Sequence, residues 1–203
     1  MIYSALIPVK SLDETKSRLA THLTHPQRVA LTLDMLKHVI CVLRQSALLT
    51  EVSVVSADER VLRRVESWGA MALSEECAGH NPALTAAAER LRAGGTDALL
   101  TMSADLPLLQ PRDIRDMVEQ SKTHSIVLAP SQDSTGTNAI LVRPPLAIPY
   151  VFGINSFQHY QQEARQRQLA TAIYRNSGTA LDIDTIDDIT ALHTTRQEYS
   201  IYL

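Results

Sequence analysis

The feature that most constrains the fold of this chain is a regular alternation of short apolar runs with segments of helical periodicity. Five runs are predicted as strands, at Ile2–Val9, Val52–Ser56, Ala98–Ser103, Ser125–Ala129 and Ala139–Val142. Nearly continuous apolar strands that alternate with helices indicate a parallel sheet covered on both faces. The last two runs follow each other directly, which predicts an antiparallel excursion there and makes the sheet mixed but mostly parallel.

The intervening segments carry helix signals. Val29, Leu33, Leu36, Ile40 and Leu43 step by four and three residues, as on one face of a long amphipathic helix that begins near Pro26. Further predicted elements are helices from Asp58 to Trp68 (closed by Gly69), from Asn81-Pro82 to Gly94, from Pro111 to Gln120, at Ser156–Arg167 and from Thr185, and a strand at Ala170–Tyr174.

Length and composition describe an ordinary globular protein. No linker, repeat or charge block divides residues 1–203, so one domain with a sizeable core is predicted. The net charge of −3 disfavours a nucleic-acid binder. The apolar N-terminal run is too short for a secretory signal or a membrane span, which predicts a cytoplasmic protein. Cys41 and Cys77 lie outside any CxxC arrangement and are predicted to be buried or half-buried thiols.

The first candidate site is the loop after the first strand. Lys10, Lys16 and Arg18 fall within nine residues of one another there. Ligands of open α/β sheets bind outside the carboxyl ends of the strands, so these cations could neutralise a polyphosphate and its leaving group. A solvated polar loop is the alternative. The chain has neither a GxxxxGK[ST] nor a GxGxxG motif, which gives a P-loop or a dinucleotide fold no support.

Three aspartates form the second candidate site. Asp105 follows a buried strand, and Asp182 and Asp184 lie two residues apart in an extended segment, where their side chains point the same way and Ile183 points into the core. Carboxylates that are held close together repel unless a cation binds between them, and hard oxygen ligands suit Mg²⁺. The pattern therefore predicts an Mg²⁺ site at the ends of buried strands. Alternatively, Asp105 is a turn residue, and Asp184 or Thr185 caps the final helix.

Two further segments could bind an anion through backbone N–H groups. One is 133–138, with small hydroxyl residues around a glycine, and the other is 152–157, where Ser156 could begin a helix. Either segment could equally be an ordinary turn.

Taken in order, seven segments resemble one family over essentially the whole chain. They are IPVKSLDETKSRL, VVSADE, GHNPAL, MSADLPLL, STGTNAIL, FGINSF and LDIDTIDDI. The series resembles the guanylyltransferases of coenzyme F420 biosynthesis, which include 2-phospho-L-lactate and phosphoenolpyruvate guanylyltransferases. The resemblance implies a three-layer, Rossmann-like nucleotidyltransferase fold. It also implies transfer of GMP from GTP to one of these phosphorylated acids, with release of pyrophosphate.

The resemblance also assigns roles to residues. Mg²⁺ would be held by Asp105, Asp182 and Asp184, and the acceptor by Thr137, Gly153 and Ser156. The triphosphate would be faced by Lys10, Lys16 and Arg18, and the nucleoside would lie near Asn81. The chain departs from the family twice. His80 replaces the leucine of a Gly-Leu-Asn triplet, in the loop that would contact the base or ribose. Ser134 replaces the first glycine of an Asp-Gly-Thr-Gly-Thr-Asn segment, which would stiffen the acceptor loop.

Other functions remain open on the sequence. A molybdenum-cofactor or sugar-phosphate nucleotidyltransferase would carry a similar ADLPLL segment, but the glycine-rich first loop usual in those families is missing here. A non-catalytic nucleotide-binding module is a further alternative, although binding alone would not require three aspartates. The apolar tail Tyr199–Leu203 could pack on a partner subunit in a homodimer.

Overall fold

The computed structural model describes the backbone of residues 1–200 and the side chains of residues 1–194. The strands are β1 (Tyr3–Pro8), β2 (Glu51–Ser56), β3 (Met71–Ser74), β4 (Ala98–Met102), β5 (Ile126–Pro130), β6 (Thr137–Val142) and β7 (Thr171–Ile173). The helices are α1 (His25–Gln45), α2 (Glu59–Ser67), α3 (His80–Ala93), α4 (Pro111–Ser121), α5 (Ser156–Gln166), α6 (Ser177–Ala180) and α7 (Ile186–Ser200). A 3₁₀ turn covers Ser17–Leu19. The predicted apolar tail Tyr199–Leu203 lies outside the described side chains.

The strands form one seven-stranded sheet in the order β3-β2-β1-β4-β6-β5-β7. β6 runs antiparallel to β4 and β5, and every other pairing is parallel. This topology confirms the predicted mixed, mostly parallel sheet. It also brings the carboxyl ends of β1 and β4 and the amino end of β6 to the same edge.

Helices cover both faces of the sheet, which confirms the predicted three layers. Buried side chains of α1, α2 and α4 pack with alternate strand residues in the largest core cluster. On the other face, α3 packs against β1, β2 and β4, and α5 packs against β5 and β6. A smaller cluster joins α1 to α7 through Met35, Leu181 and Ile183.

The hairpin between β5 and β6 contains a β-bulge. Ala129 pairs with Ala139, but the next residue, Pro130, pairs with Thr137, so that Asn138 is the additional residue on β6. A bulge bends its strand and turns the side chain of the extra residue away from the regular alternation. This irregularity lies at the edge of the sheet that β1 and β4 share.

Three features differ from the sequence predictions. β3 was not predicted, because its four residues are mostly exposed and show no apolar alternation. α6 was not predicted either, since a helix of one turn has no periodicity to detect. Cys41 and Cys77 are free and exposed rather than buried. Cys41 lies outside the buried stripe of α1, and Cys77 lies in the loop before α3.

Candidate active site

A cavity of about 410 Å³ opens at the edge where β1 and β4 end. It gathers six of the predicted site residues, namely Lys10, Lys16, Arg18, Asp105, Asp182 and Asp184. His80 and Phe152 also line this cavity. The cations of the first loop and the three aspartates therefore line the same cavity.

Lys16 makes the closest contacts in the cavity. Its Nζ lies 3.0 Å from Asp184 Oδ1 and also contacts Asp105 Oδ2, and only 7% of its side chain is exposed. Burial acts to lower the pKa of Lys16, but the two adjacent carboxylates outweigh it and raise the pKa above its ordinary value. Arg18 is largely exposed and reaches the other oxygen of Asp184 at 3.6 Å.

The loop that carries Lys16 is fixed from both sides. Thr15 Oγ1 lies 2.6 Å from Thr32 Oγ1 on α1, and Arg28 Nε donates to the Thr15 carbonyl oxygen at 3.2 Å. On the other side, Asp58 accepts a hydrogen bond from the Leu12 backbone N–H at 2.9 Å. These contacts hold the backbone of Lys16 in a left-handed conformation, with φ of 48°. The sequence predictions assigned Arg28 no role and gave Asp58 only a capping role.

The three aspartates converge, but not in the way that was predicted. One carboxylate oxygen from each of Asp105, Asp182 and Asp184 lies within 4.8 Å of the others. Asp105 follows β4, whereas Asp182 and Asp184 do not follow a strand. They lie on an irregular extended segment that follows α6. The chain turns through this short helix and then passes close to Asp105. Ile183 joins that segment to Asp105 through a backbone hydrogen bond of 3.3 Å, and its side chain is buried, as predicted.

The donor set of this cluster fits a divalent cation. Burial raises the pKa of Asp182 above its ordinary value. The hydrogen bond from Asn138 lowers that pKa, whereas the negative charges of Asp105 and Asp184 raise it further. A cation placed among the three carboxylates would offset this repulsion, and oxygen ligands of this type suit hard divalent ions. These residues could therefore hold a metal.

The capping alternative applies to neighbouring residues. Asp188 Oδ2 accepts hydrogen bonds from the backbone N–H groups of Asp184 and Thr185, at 2.9 and 2.7 Å, and from the Thr185 hydroxyl at 2.8 Å. Thr185 and Asp188 thus cap α7. The carboxylate of Asp184 is left to Lys16 and Arg18.

The predicted acceptor residues meet beside the cavity rather than in its wall. The Ser156 hydroxyl donates to Thr137 Oγ1 at 3.2 Å, and both side chains are buried. Gly153 has φ of 134° and open space where a Cβ would stand, so its backbone can be approached closely. Phe152, which precedes Gly153, lines the cavity and therefore connects it with the predicted acceptor residues.

Asn81 connects two loops through its side chain. Its carboxamide donates to the Phe152 carbonyl oxygen and accepts from the Phe152 N–H, both at 3.0 Å. The neighbouring His80 lies edge-on to the Phe152 ring, with 5.6 Å between centroids. Loss of hydration lowers the pKa of His80, and the charge of Lys10 adds to that effect. His80, known from the sequence only as a departure from the family, therefore belongs to the cavity wall.

Ser134, the second departure, adopts φ of 59°, a left-handed conformation that glycine takes at little cost. Its hydroxyl accepts a hydrogen bond of 2.9 Å from Arg175. This contact fixes a backbone conformation that is costly for a serine.

Comparison with known proteins identifies the family. The model of the family described as "Guanylyl transferase CofC like" matches residues 3–202. This chain belongs to that family. The CofC-like relatives include phosphoenolpyruvate guanylyltransferase of Rubrobacter xylanophilus, which is 38% identical over 189 residues, covering 93% of this chain and 92% of the relative.

Other CofC-like relatives carry different acceptors in their names. 3-Phospho-D-glycerate guanylyltransferase of Colwellia psychrerythraea is 32% identical, covering 92% of this chain and 89% of the relative. 2-Phospho-L-lactate guanylyltransferase of Methanobrevibacter smithii is 31% identical, covering 91% and 80%. The names agree on guanylyl transfer and differ in the phosphorylated acid.

The fold of this CofC-like chain is also that of solved structures. A protein of Desulfovibrio desulfuricans described as a nucleotide-diphospho-sugar transferase superposes with a TM-score of 0.82, at 17% identity, over 96% of this chain and 88% of its own. At this identity the likeness concerns the fold alone. Among the described residues, no helix has the length and apolar character needed to cross a membrane.

Proposed function

We propose that this protein is an Mg²⁺-dependent guanylyltransferase of coenzyme F420 biosynthesis. It would transfer GMP from GTP to phosphoenolpyruvate or 2-phospho-L-lactate and release pyrophosphate. The observation that carries the proposal is the cavity in which Lys16 faces Asp105, Asp182 and Asp184. Family membership supports the guanylyl chemistry, and the pair of hydroxyls on Thr137 and Ser156 supports an anionic acceptor beside that cavity.

The reaction requires positioning and charge neutralisation more than proton transfer. A phosphate oxygen of the acceptor, already anionic near neutral pH, forms a bond to the α-phosphorus of GTP while the bond to pyrophosphate breaks. No protein nucleophile is needed. Lys10, Lys16 and Arg18 are suited to bind the triphosphate and to stabilise the charge on the leaving pyrophosphate. When bound to the three aspartates, Mg²⁺ would supply further neutralisation of phosphate charge.

The acceptor would bind beside the cavity, against the hydroxyls of Thr137 and Ser156 and the open backbone at Gly153. Hydroxyl and N–H donors recognise phosphate and carboxylate oxygens, which all three acids named among the relatives contain. The nucleoside would lie toward His80, since Asn81 and Phe152 hold this segment at the cavity wall.

The decisive experiment is an acceptor panel. The purified protein is incubated with GTP, Mg²⁺ and phosphoenolpyruvate, 2-phospho-L-lactate or 3-phosphoglycerate, and the product is identified by mass while pyrophosphate is measured. A guanylylated acid is expected with one or both of the first two. CTP with sugar phosphates and molybdopterin tests the other nucleotidyltransferase classes. GTP binding without turnover on any acceptor would instead indicate a non-catalytic module.

Two further expectations belong to the same proposal. The enzyme would act in the cytoplasm, where its nucleotide substrate is found. It would form a homodimer through the apolar tail Tyr199–Leu203. Light scattering on the full chain and on a chain that ends before Tyr199 tests the dimer, and equal masses for the two would contradict it.

A further inference from the structure

We propose that Asn138 is a positioning residue for the metal-binding aspartates. The inference rests on the metal site of the proposed function and names a residue outside the three carboxylates. Asn138 is 5% exposed, and its Nδ2 lies 3.0 Å from Asp182 Oδ1. The same Nδ2 also lies 3.1 Å from the carbonyl oxygens of Thr179 and Ala180, which end α6.

The bulge in β6 explains why the side chain can reach Asp182. In a regular strand, Asn138 would point to the same face as Ile140 and Val142, which pack under α5. As the additional residue of the bulge, it turns toward α6 instead. Asn138 ties the end of that helix and the first aspartate of the segment that follows it to the sheet.

Asn138 also contacts the segment that carries Asp105. Its backbone carbonyl oxygen accepts a hydrogen bond of 2.8 Å from the N–H of Ser103, two residues before Asp105. One residue therefore connects both aspartate-bearing segments, which are far apart in the sequence. Because a carboxylate ligand must be held in a defined orientation, the partner that holds it influences metal affinity.

The chemistry of a carboxamide suits this place. Asn138 donates to Oδ1 of Asp182 without adding a charge, so it does not repel a cation as a lysine would. The Asp182 carboxylate that it holds contributes one oxygen to the cluster shared with Asp105 and Asp184. Asn138 thus fixes the orientation of the Asp182 carboxylate.

A purely structural role makes a different prediction. If Asn138 only satisfied the carbonyl groups of α6, its loss would lower stability and leave metal affinity unchanged. Thr96→Val provides the matched control. It removes a buried hydrogen bond of 2.9 Å between Thr96 and Ser4, which lies at the opposite edge of the sheet.

The test measures Mn²⁺ binding to the nucleotide-free protein by calorimetry. Asn138→Ala should weaken Mn²⁺ affinity by about 10- to 100-fold, as is typical when a partner of a metal ligand is removed. Thr96→Val should bind Mn²⁺ as the unsubstituted protein does, even where it lowers the melting temperature equally. An affinity for Asn138→Ala within twofold of the unsubstituted protein would overturn the inference, as would the absence of Mn²⁺ binding to the unsubstituted protein.

A second measurement does not depend on the variant folding. The side-chain amide resonances of Asn138 in the unsubstituted protein are followed by NMR during titration with Mg²⁺. These resonances should shift as Mg²⁺ fills the site, and the midpoint of the shift should equal the midpoint of Mg²⁺ binding. Resonances that stay unchanged at saturation would overturn the inference. The acceptor panel decides the proposed function separately: weakened Mn²⁺ binding in Asn138→Ala together with no guanylylated product would reject guanylyl transfer and retain the role of Asn138.

Discussion

The ammonium group of Lys16 lies 3.0 Å from the Asp184 carboxylate, inside the cluster of acidic side chains that could hold a metal. It also contacts Asp105, so two of the three carboxylates have a cationic partner in Lys16. Lys16 and a divalent ion would therefore compete for the same oxygens. Under the proposed function, a metal that displaces the lysine from these oxygens would leave it free to bind the triphosphate.

The first prediction concerns Lys16→Met. Without metal, the variant should lose about 1–3 kcal/mol of unfolding free energy, because two carboxylates lose their cationic partner. The loss should stay below that of a fully buried ion pair, since the Asp184 side chain is half-exposed. Divalent metal should raise the melting temperature of the variant more than that of the unsubstituted protein. Lys10→Met, in the same cavity but exposed, is the control. Equal metal-induced shifts in all three proteins would contradict the competition.

The second prediction concerns the proposed metal ligands. Asp105→Asn and Asp184→Asn should each lower turnover by at least about 100-fold while the fold is retained, because electrostatic stabilisation of the transferring phosphate is lost. Circular dichroism checks the fold, and pyrophosphate release gives the rate. Asp187→Asn removes an exposed carboxylate three residues from Asp184 and should leave turnover near normal. Near-normal Mg²⁺-dependent activity in both site variants would reject the assignment.

The strands that end at the site could be predicted because local pattern determines them. β1 and β4 are continuous apolar runs, so the polar residues that follow, Lys10 and Asp105, were correctly placed at the edge of the sheet. The prediction that Asp182 and Asp184 lie close to Asp105 was correct. The prediction that they lie at the end of a strand was wrong. Their position depends on α6, and a single turn of helix leaves no periodic signal in the sequence.

Contacts between distant segments could not be predicted. Asn138 acts through a bulge, and a bulge is defined by the register between β5 and β6 rather than by the residues of either strand. A polar residue at the start of the apolar run 139–142 was the only available signal. Asn81 was expected near the nucleoside from the family resemblance, whereas its bonds to Phe152 join positions 71 residues apart.

The third prediction concerns the pH dependence of stability through Asp58. Hydrogen bonds from Arg60, with one from Leu12, hold the pKa of Asp58 well below its ordinary value of 3.8, despite its burial. A depressed pKa in the folded state contributes stability that is present above pH 3.8 and is lost as the pH falls through the folded-state value. Asp58 also caps α2, so Asp58→Ala should cost about 1–2 kcal/mol at neutral pH.

The measurement for Asp58 is urea unfolding at several pH values. The difference in unfolding free energy between Asp58→Ala and the unsubstituted protein should shrink from about pH 4 downward, since protonation removes the same interactions as the substitution. Asp187→Ala controls for the change in net charge. A difference that stays constant down to pH 2 would show that the charge of Asp58 does not contribute.

The fourth prediction concerns Gly178, in α6. A Cβ at this position would lie 3.0 Å from the Leu108 carbonyl oxygen and closer still to Oδ2 of Asp113, a fully buried carboxylate that also binds the Tyr174 hydroxyl at 2.9 Å. Since these groups cannot retreat, Gly178→Ala should cost about 1–3 kcal/mol and displace α6. Displacement of α6 moves Asp182, so Mn²⁺ affinity should fall as well. Ser177→Ala, exposed in the same helix, should change neither quantity, and a Gly178→Ala protein that binds Mn²⁺ normally would show that α6 does not control the site.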